Sequence, residues 1–341
     1  MQSLKLESEV QRIILRACLE SGGFVALASL AGEVEEVVKY RAAAALSQNA
    51  KLLESKGIIE RRVEGRRVYV KIKPAYVEEA RRALKVLVKY HTPGDVAAMG
   101  VESADPRVVR ENNLGVMPGD ALKAIRIVNE VGASRGHNGM PELLPGINFV
   151  LGLKGETRET YRLNLEFLRT ILEERLLVRR VNVRQVLVLP HTPMWHVGAR
   201  IMARHKKYFR AFKRRVREEF DKPMLARVVP KGTILRALYV EAHEGKYSLA
   251  RQVGSYPLLV YVTESIRIGE KLDVVVVEHG YRSVKGIPYP LNANTASRES
   301  LSYVPGLSRG CVLEILKSRP FESIEELANL VEEDVLKYLK V

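Results

Sequence analysis

Apolar residues recur at helical spacing over residues 9–21, where Val10, Ile13, Ile14, Ala17 and Cys18 fall on one face. Gly22-Gly23 ends that helix. A short second helix is predicted over 27–34 and a third over 39–55, the latter closed by Gly57. The period then changes from 3.6 to 2. Residues 58–63 and 67–72 read as two strands around Glu64-Gly65-Arg66, giving the order helix, helix, helix, hairpin.

From Pro74 the pattern becomes strand and helix in alternation. A helix over 78–90 places Ala80, Ala83, Leu84, Leu87 and Val88 inward, and a buried strand follows over 96–101. Asp105 and Pro106 suit the N-cap and first position of a helix over 107–112. A helix over 120–131, a strand over 147–153, a helix over 158–174 and a strand over 181–189 complete three strand–helix units. Their ligand-facing turns, Glu102-Ser103, Gly152 to Glu156 and Leu189 to Thr192, fall on one rim. A long helix over 196–220 interleaves Ile201, Tyr208, Phe209, Phe212 and Val216 with nine cations. Short strands over 234–242, 249–253, 258–261, 271–278 and 281–287 predict a small β-barrel. The segment from Leu301 to Val312 has the apolar-Pro-Gly-apolar-x-x-Gly spacing of a helical hairpin. The expected organisation is therefore α/β and multi-domain, with bounds 1–73, 74–223, 224–291 and 292–341.

Charge sharpens this reading. The 341 residues carry a net charge of +15. Between Arg179 and Arg236 there are sixteen Lys and Arg against three acids, whereas residues 296–341 hold six against eight. Cation density of that kind neutralises phosphates, so nucleic acid, DNA or RNA, is the expected partner. A solvated helix face in a basic proteome is the competing explanation. No apolar run is long enough to span a bilayer, and the N-terminus is polar, so a cytoplasmic protein without membrane partners is expected. Cys18 and Cys311 are too far apart in sequence to suggest a disulfide framework or zinc site, and both read as buried thiols. His191, His196 and His205 read as polar surface residues, and no metal ligands are assigned.

Four resemblances follow from these motifs. Residues 5–73 resemble a winged helix-turn-helix domain, which implies nucleic-acid contacts through Lys39, Arg41, Ser47, Gln48 and Lys51 on the third helix and Arg66 and Arg67 on the wing. Many such domains mediate only protein contacts. Residues 76–195 resemble the second half of the radical S-adenosylmethionine (SAM) barrel: Gly100-Val101-Glu102-Ser103, then Gly152-Leu153-Lys154-Gly155-Glu156-Thr157, then Pro190-His191-Thr192-Pro193, with His191 replacing the usual Gly. That likeness implies SAM contacts from Glu102, Ser103, Asn148, Gly152, Gly155, Glu156, Arg184 and Leu189. Read locally, the glycines permit a turn, Glu156 and Thr157 cap the next helix, and Glu102 is a loop carboxylate. Residues 230–287 resemble the RNA-binding TRAM barrel, and 301–327 a helix-hairpin-helix whose backbone N–H groups near Gly306 and Gly310 can hold phosphate.

The radical SAM family also requires a [4Fe-4S] cluster on a Cys-x-x-x-Cys-x-x-Cys loop, and this sequence has none. The resemblance thus implies a radical SAM enzyme acting on nucleic acid, in RNA modification, that is truncated, inactive alone and completed by a second polypeptide with the missing barrel half. No catalytic residue is assigned. The alternative is a non-catalytic winged-helix nucleic-acid-binding protein or regulator, with Arg204, Lys206, Lys207, Arg210, Lys213 and Arg214 among its phosphate contacts.

Overall fold

The computed structural model describes residues 8–21, 25–38, 42–56, 58–64, 67–72 and 74–341. Gly22-Gly23, Lys39, Arg41, Gly57 and Gly65-Arg66 lie outside the described residues. The chain divides into two compact units, Met1–Val86 and Leu87–Val341.

The first unit comprises α1 (Glu9–Ser21), β1 (Val25–Ala26), a 3-10 turn over Leu27–Leu30, α2 (Ala31–Val38), α3 (Ala42–Ser55) and the hairpin β2 (Ile59–Glu64) and β3 (Arg67–Ile72). The expected order of three helices and a hairpin is present. A two-residue β1, too short for any periodicity to reveal, pairs antiparallel with β3, so the sheet runs β1-β3-β2. Ile13, Ile14 and Cys18 of α1 meet Leu46, Ala50 and Leu53 of α3 in one core. The opposite side of α3 leaves Gln48 and Lys51 exposed, and Arg67 is exposed at the start of β3.

The helix α4 (Pro74–Tyr90) departs from expectation. Its residues Ala80, Ala83, Leu84, Leu87 and Val88 were predicted to face inward, yet Ala80 and Leu87 are exposed and none of the five joins a core among the described residues. Amphipathic spacing marks a face able to pack, and packing also needs a neighbour.

Beyond α4 come β4 (Asp95–Glu102), α5 (Pro106–Glu111), α6 (Pro118–Gly132), β5 (Leu143–Leu151), α7 (Arg158–Glu173) and β6 (Arg180–Gln185). The three strands form a parallel sheet in the order β4-β5-β6. Ile147, Phe149 and Leu151 of β5 face the helices and are buried with Ile125 of α6 and Leu165, Leu168 and Ile171 of α7. Strand β6 stops at Gln185, four residues short of the predicted end. β5 has ended at Leu151, whose carbonyl takes the Val186 N–H at 2.8 Å, and beyond it no strand among the described residues pairs with 186–189.

The long basic helix is interrupted. Residues Pro193–Val197 form α8, Gly198 at φ +66° breaks the path, and α9 (Arg200–Arg215) passes through a π-helical turn over Val216–Asp221 into α10 (Lys222–Val228). Five strands then close a barrel: β7 (Ile234–Glu244), β8 (Tyr247–Gln252), β9 (Leu259–Val262), β10 (Lys271–His279) and β11 (Ser283–Tyr289), in the order β10-β11-β9-β8-β7. Closure depends on the parallel pairing of β9 with β11. The chain ends in β12 (Leu291–Asn292), α11 (Arg298–Ser302), α12 (Arg309–Ser318), α13 (Ile324–Ala328), α14 (Glu333–Leu336) and β13 (Leu339–Lys340).

The run Val274 to Val277 in β10 explains how the barrel is held. Val274 and Val276 point into the core shared with the parallel sheet. Val275 and Val277 point the other way, into a core with Leu301, Val304, Val312, Ile315 and Leu327 of the terminal helices. A strand covered on both faces has no reason to alternate, hence four valines in succession.

Candidate nucleic-acid interface

Helix α9 is positioned by its inner face. Phe212 lies edge-on to Phe149 of β5, with ring centroids 5.9 Å apart, and Tyr161 of α7 stands at the same distance from Phe212. His205 was expected on the surface. It is instead buried, its Nδ1 3.0 Å from Glu156 Oε1. The same carboxylate accepts from Tyr161 Oη at 2.6 Å and, through Oε2, from the Gly152 N–H at 2.5 Å. Burial, and then the hydrogen bond to Glu156, pushes the Tyr161 hydroxyl well above the usual tyrosine range. One buried acid thus ties the turn after β5, helix α7 and helix α9 together. No local pattern signals this, because His205 and Glu156 are 49 residues apart.

With that face fixed, the opposite one is set. Lys206, Lys207, Arg210, Lys213 and Arg214 fall within an arc of roughly 120° at 3.6 residues per turn, and Arg204 lies about 60° beyond it. All six are exposed, and none is in an ion pair among the described residues; Arg215, next to them, is held by Glu219. Unpaired cations aligned along about three turns can follow a phosphate backbone.

The sequence-predicted rim residues separate into two groups. Ser103 is buried and its Oγ accepts from the Asp105 N–H, so like Glu156 it points inward. Gly152 (φ +92°) and Gly155 (φ +77°) supply the turn; a Cβ on Gly152 would collide with Met202 Cγ. Glu102, Asn148 and Arg184 share the other face of the sheet. Glu102 has φ +58° and folds its carboxyl back over Gly100. Burial pushes that carboxyl up while Arg184 pulls it down, and Oε2 is closed off without a hydrogen-bond partner among the described residues. Asn148 accepts from Asn182 at 2.8 Å. Toward the Glu102 end this face is open, with Ala98, Gly100 and Arg184 exposed. Leu189 stands beyond the end of β6, exposed along with Leu187 and Trp195.

Among the described residues there is no group of three or more His, Cys, Asp or Glu that could hold a metal. Cys18 is buried in the first unit's core. Cys311, expected to be buried, is half-exposed on α12 with Ser308 Oγ 3.1 Å from its sulfur. In the terminal hairpin Gly306 adopts φ +84°, and Ser308 Oγ already accepts the Cys311 N–H. The N–H groups expected to hold phosphate at Gly306 and Gly310 thus adjoin a capped helix end. No helix of the described residues is long and apolar enough to cross a membrane.

No protein-family model matches the chain. It is 46% identical over 265 residues to an uncharacterized protein of Archaeoglobus fulgidus, covering 77% of this chain and 49% of that one. An uncharacterized protein of Methanocaldococcus jannaschii is 49% identical over 211 residues, covering 61% of this chain and 39% of its own. The chain spans about half the length, or less, of these curated relatives. The structure of TrmBL2, described as an archaeal chromatin protein with a novel mode of DNA binding, aligns over 63% of this chain and 95% of its own at 11% identity. Its TM-score of 0.16 carries no argument about this fold.

Proposed function

We propose that the chain is a nucleic-acid-binding protein that lays the cation stripe of α9 along a phosphate backbone. The observation that carries this reading is the six exposed cations of α9, free of ion pairs among the described residues and opposite a face locked into the core by Phe212 and His205. Two further elements support it. The first unit has the helix and hairpin order of a winged helix, offering Gln48, Lys51 and Arg67. Five-stranded barrels of Greek-key type bind oligonucleotides in several families, in keeping with the TRAM-like reading.

Fluorescence anisotropy with single-stranded RNA, single-stranded DNA and duplex DNA over a salt series tests the proposal. Replacing Lys206, Lys207, Arg210 and Arg214 by Gln should weaken binding at low salt at least tenfold. The log–log salt slope for a single strand should fall by about 0.7 for each phosphate no longer neutralised. An unchanged slope in the folded variant refutes the assignment.

The open sheet face favours a second reading: the chain is part of a radical SAM enzyme acting on RNA, completed by strands on another polypeptide or on a longer chain. Parallel sheets are ordinarily covered on both faces, and the match covers only 49% and 39% of the two relatives. Glu102, Asn148 and Arg184 offer an acceptor, an amide and a cation suited to the zwitterionic end of SAM, whereas Ser103 and Glu156 spend their polar atoms inward. The iron–sulfur cluster does not fit this chain: Cys18 and Cys311 belong to different units and are only two. No chemical step is derived through it. Anaerobic iron and sulfide reconstitution of the full-length Archaeoglobus relative is the test, and absence of cluster absorption there sinks this reading.

A further inference from the structure

At the far end of the sheet from Glu102, where β6 begins, a cleft of about 340 Å³ opens between the parallel sheet and the barrel. Its walls come from four places distant in sequence: the start of β6, the π-helical turn with the start of α10, the loop after β8 and the loop after β10. None of them belongs to the stripe on α9 or to the SAM-type rim. The volume is within the range of about 300–1,000 Å³ usual for small-ligand sites.

The charges in this cleft do not balance. Arg282 donates through Nε to Asp221 Oδ2 at 3.2 Å, and Arg251 is paired with Glu241 outside. Arg179 and Arg180 pair with no carboxylate among the described residues. The Arg179 guanidinium donates to the Tyr256 carbonyl at 2.9 Å, while its Nε is shut off from solvent and, among the described residues, has no acceptor. Burial, and then the neighbouring Arg180, pushes the Arg179 pKa down to about 10, which still leaves it charged. Two adjacent half-buried cations, one of them with an idle, enclosed N–H donor, make a strong demand for an anion.

Flat surfaces accompany the charge. The Arg180 guanidinium lies 4.4 Å from the centroid of the Tyr256 ring. Both Tyr256 and Tyr281 are exposed at the mouth. A guanidinium plane on a tyrosine is a platform on which any nucleobase can stack, since every base has a π-face. From this juxtaposition we infer that the cleft is a binding site for one nucleotide, its phosphate held by Arg179 and Arg180 and its base stacked at Tyr256. The same chemistry is offered by a free mononucleotide and by one nucleotide of a strand. This inference is independent of the phosphate stripe on α9.

Calorimetric titration of the full chain with a mononucleotide, with inorganic phosphate and with an oligoribonucleotide distinguishes these sources. Three proteins are compared: wild type, Arg180→Gln and Tyr256→Leu, both changes being at partly or fully exposed side chains. Saturable mononucleotide binding weakened at least tenfold by Arg180→Gln and about fivefold by Tyr256→Leu supports a free nucleotide. Binding of the oligonucleotide alone, weakened by both changes, with the salt slope lowered by Arg180→Gln and unaltered by Tyr256→Leu, supports a nucleotide within a strand. Phosphate binding as tightly as the nucleotide overturns the inference, as does indifference of every ligand to both substitutions in proteins with unchanged circular dichroism. Loss of strand binding in the α9 variant with mononucleotide binding intact would separate the two sites.

Discussion

His205 Nδ1 meets Glu156 Oε1 at 3.0 Å, and this contact settles which face of α9 is turned to solvent. Both side chains are nearly enclosed, and Glu156 satisfies three donors at once. Removing the acid strands a backbone N–H, a phenol and an imidazole in the interior.

Glu156→Ala should therefore destabilise the chain by about 3 kcal/mol, measured by urea unfolding. Glu159→Ala, three residues on, exposed and paired with Arg162 at the surface, should move the midpoint far less.

Glycine substitutions separate backbone strain from crowding. Gly198 has φ +66° and open space around its would-be Cβ, whereas Gly152 has φ +92° and Met202 in the way. Gly198→Ala should cost about 1–3 kcal/mol from strain alone, since φ +66° with ψ −165° is a glycine-only region, and Gly152→Ala should cost more because Met202 must also move. Thermal midpoints of the two variants check the order.

Phe149 is fully buried between Phe167 and Phe212, edge-on to both. Phe149→Ala should cost about 3–5 kcal/mol. Because Phe212 belongs to α9, amide exchange in that helix should quicken more than in the barrel.

Asp221 carries a pH signature. Burial pushes its pKa from 3.8 up to about 6, with Arg282 and Arg217 opposing. An acid whose pKa is higher folded than unfolded favours the fold below about pH 4, and that contribution disappears as pH rises through about 6. Wild type should lose on the order of 3 kcal/mol relative to Asp221→Asn between pH 4 and pH 7. A difference that stays flat across this window contradicts the assignment.

Local pattern carried much of the fold into view. The spacing of Phe209, Phe212 and Val216 predicted the buried side of α9, and the cations between them marked its exposed side. Strand positions in the barrel were legible for a related reason: a short apolar segment, alternating or continuous as in β10, is a short-range signal. What was not legible depends on juxtaposition. His205 is polar and sits between Arg204 and Lys206, so nothing nearby indicates the acid that buries it. Arg179 and Arg180 adjoin Asp221 and Tyr256 only once sheet and barrel have packed. Residues 186–189 look like strand and, among the described residues, lack a partner to pair with. The same want of a neighbour leaves the apolar spacing of α4 outside any described core.

The π-helical turn has one more consequence. In an unbroken α-helix, at about 100° per residue, Asp221 would fall within about 40° of Arg210, Arg214 and Arg217, on the solvent side among the cations. The Lys222 N–H reaches back five residues to Arg217 instead of four, and the rod beyond it is out of phase with the rod before it. One residue of helical phase therefore decides whether Asp221 serves as a neutralising charge on the outside or as the inward partner of Arg282. Closing the same residues as an unbroken α-helix would exchange those roles without altering any side chain.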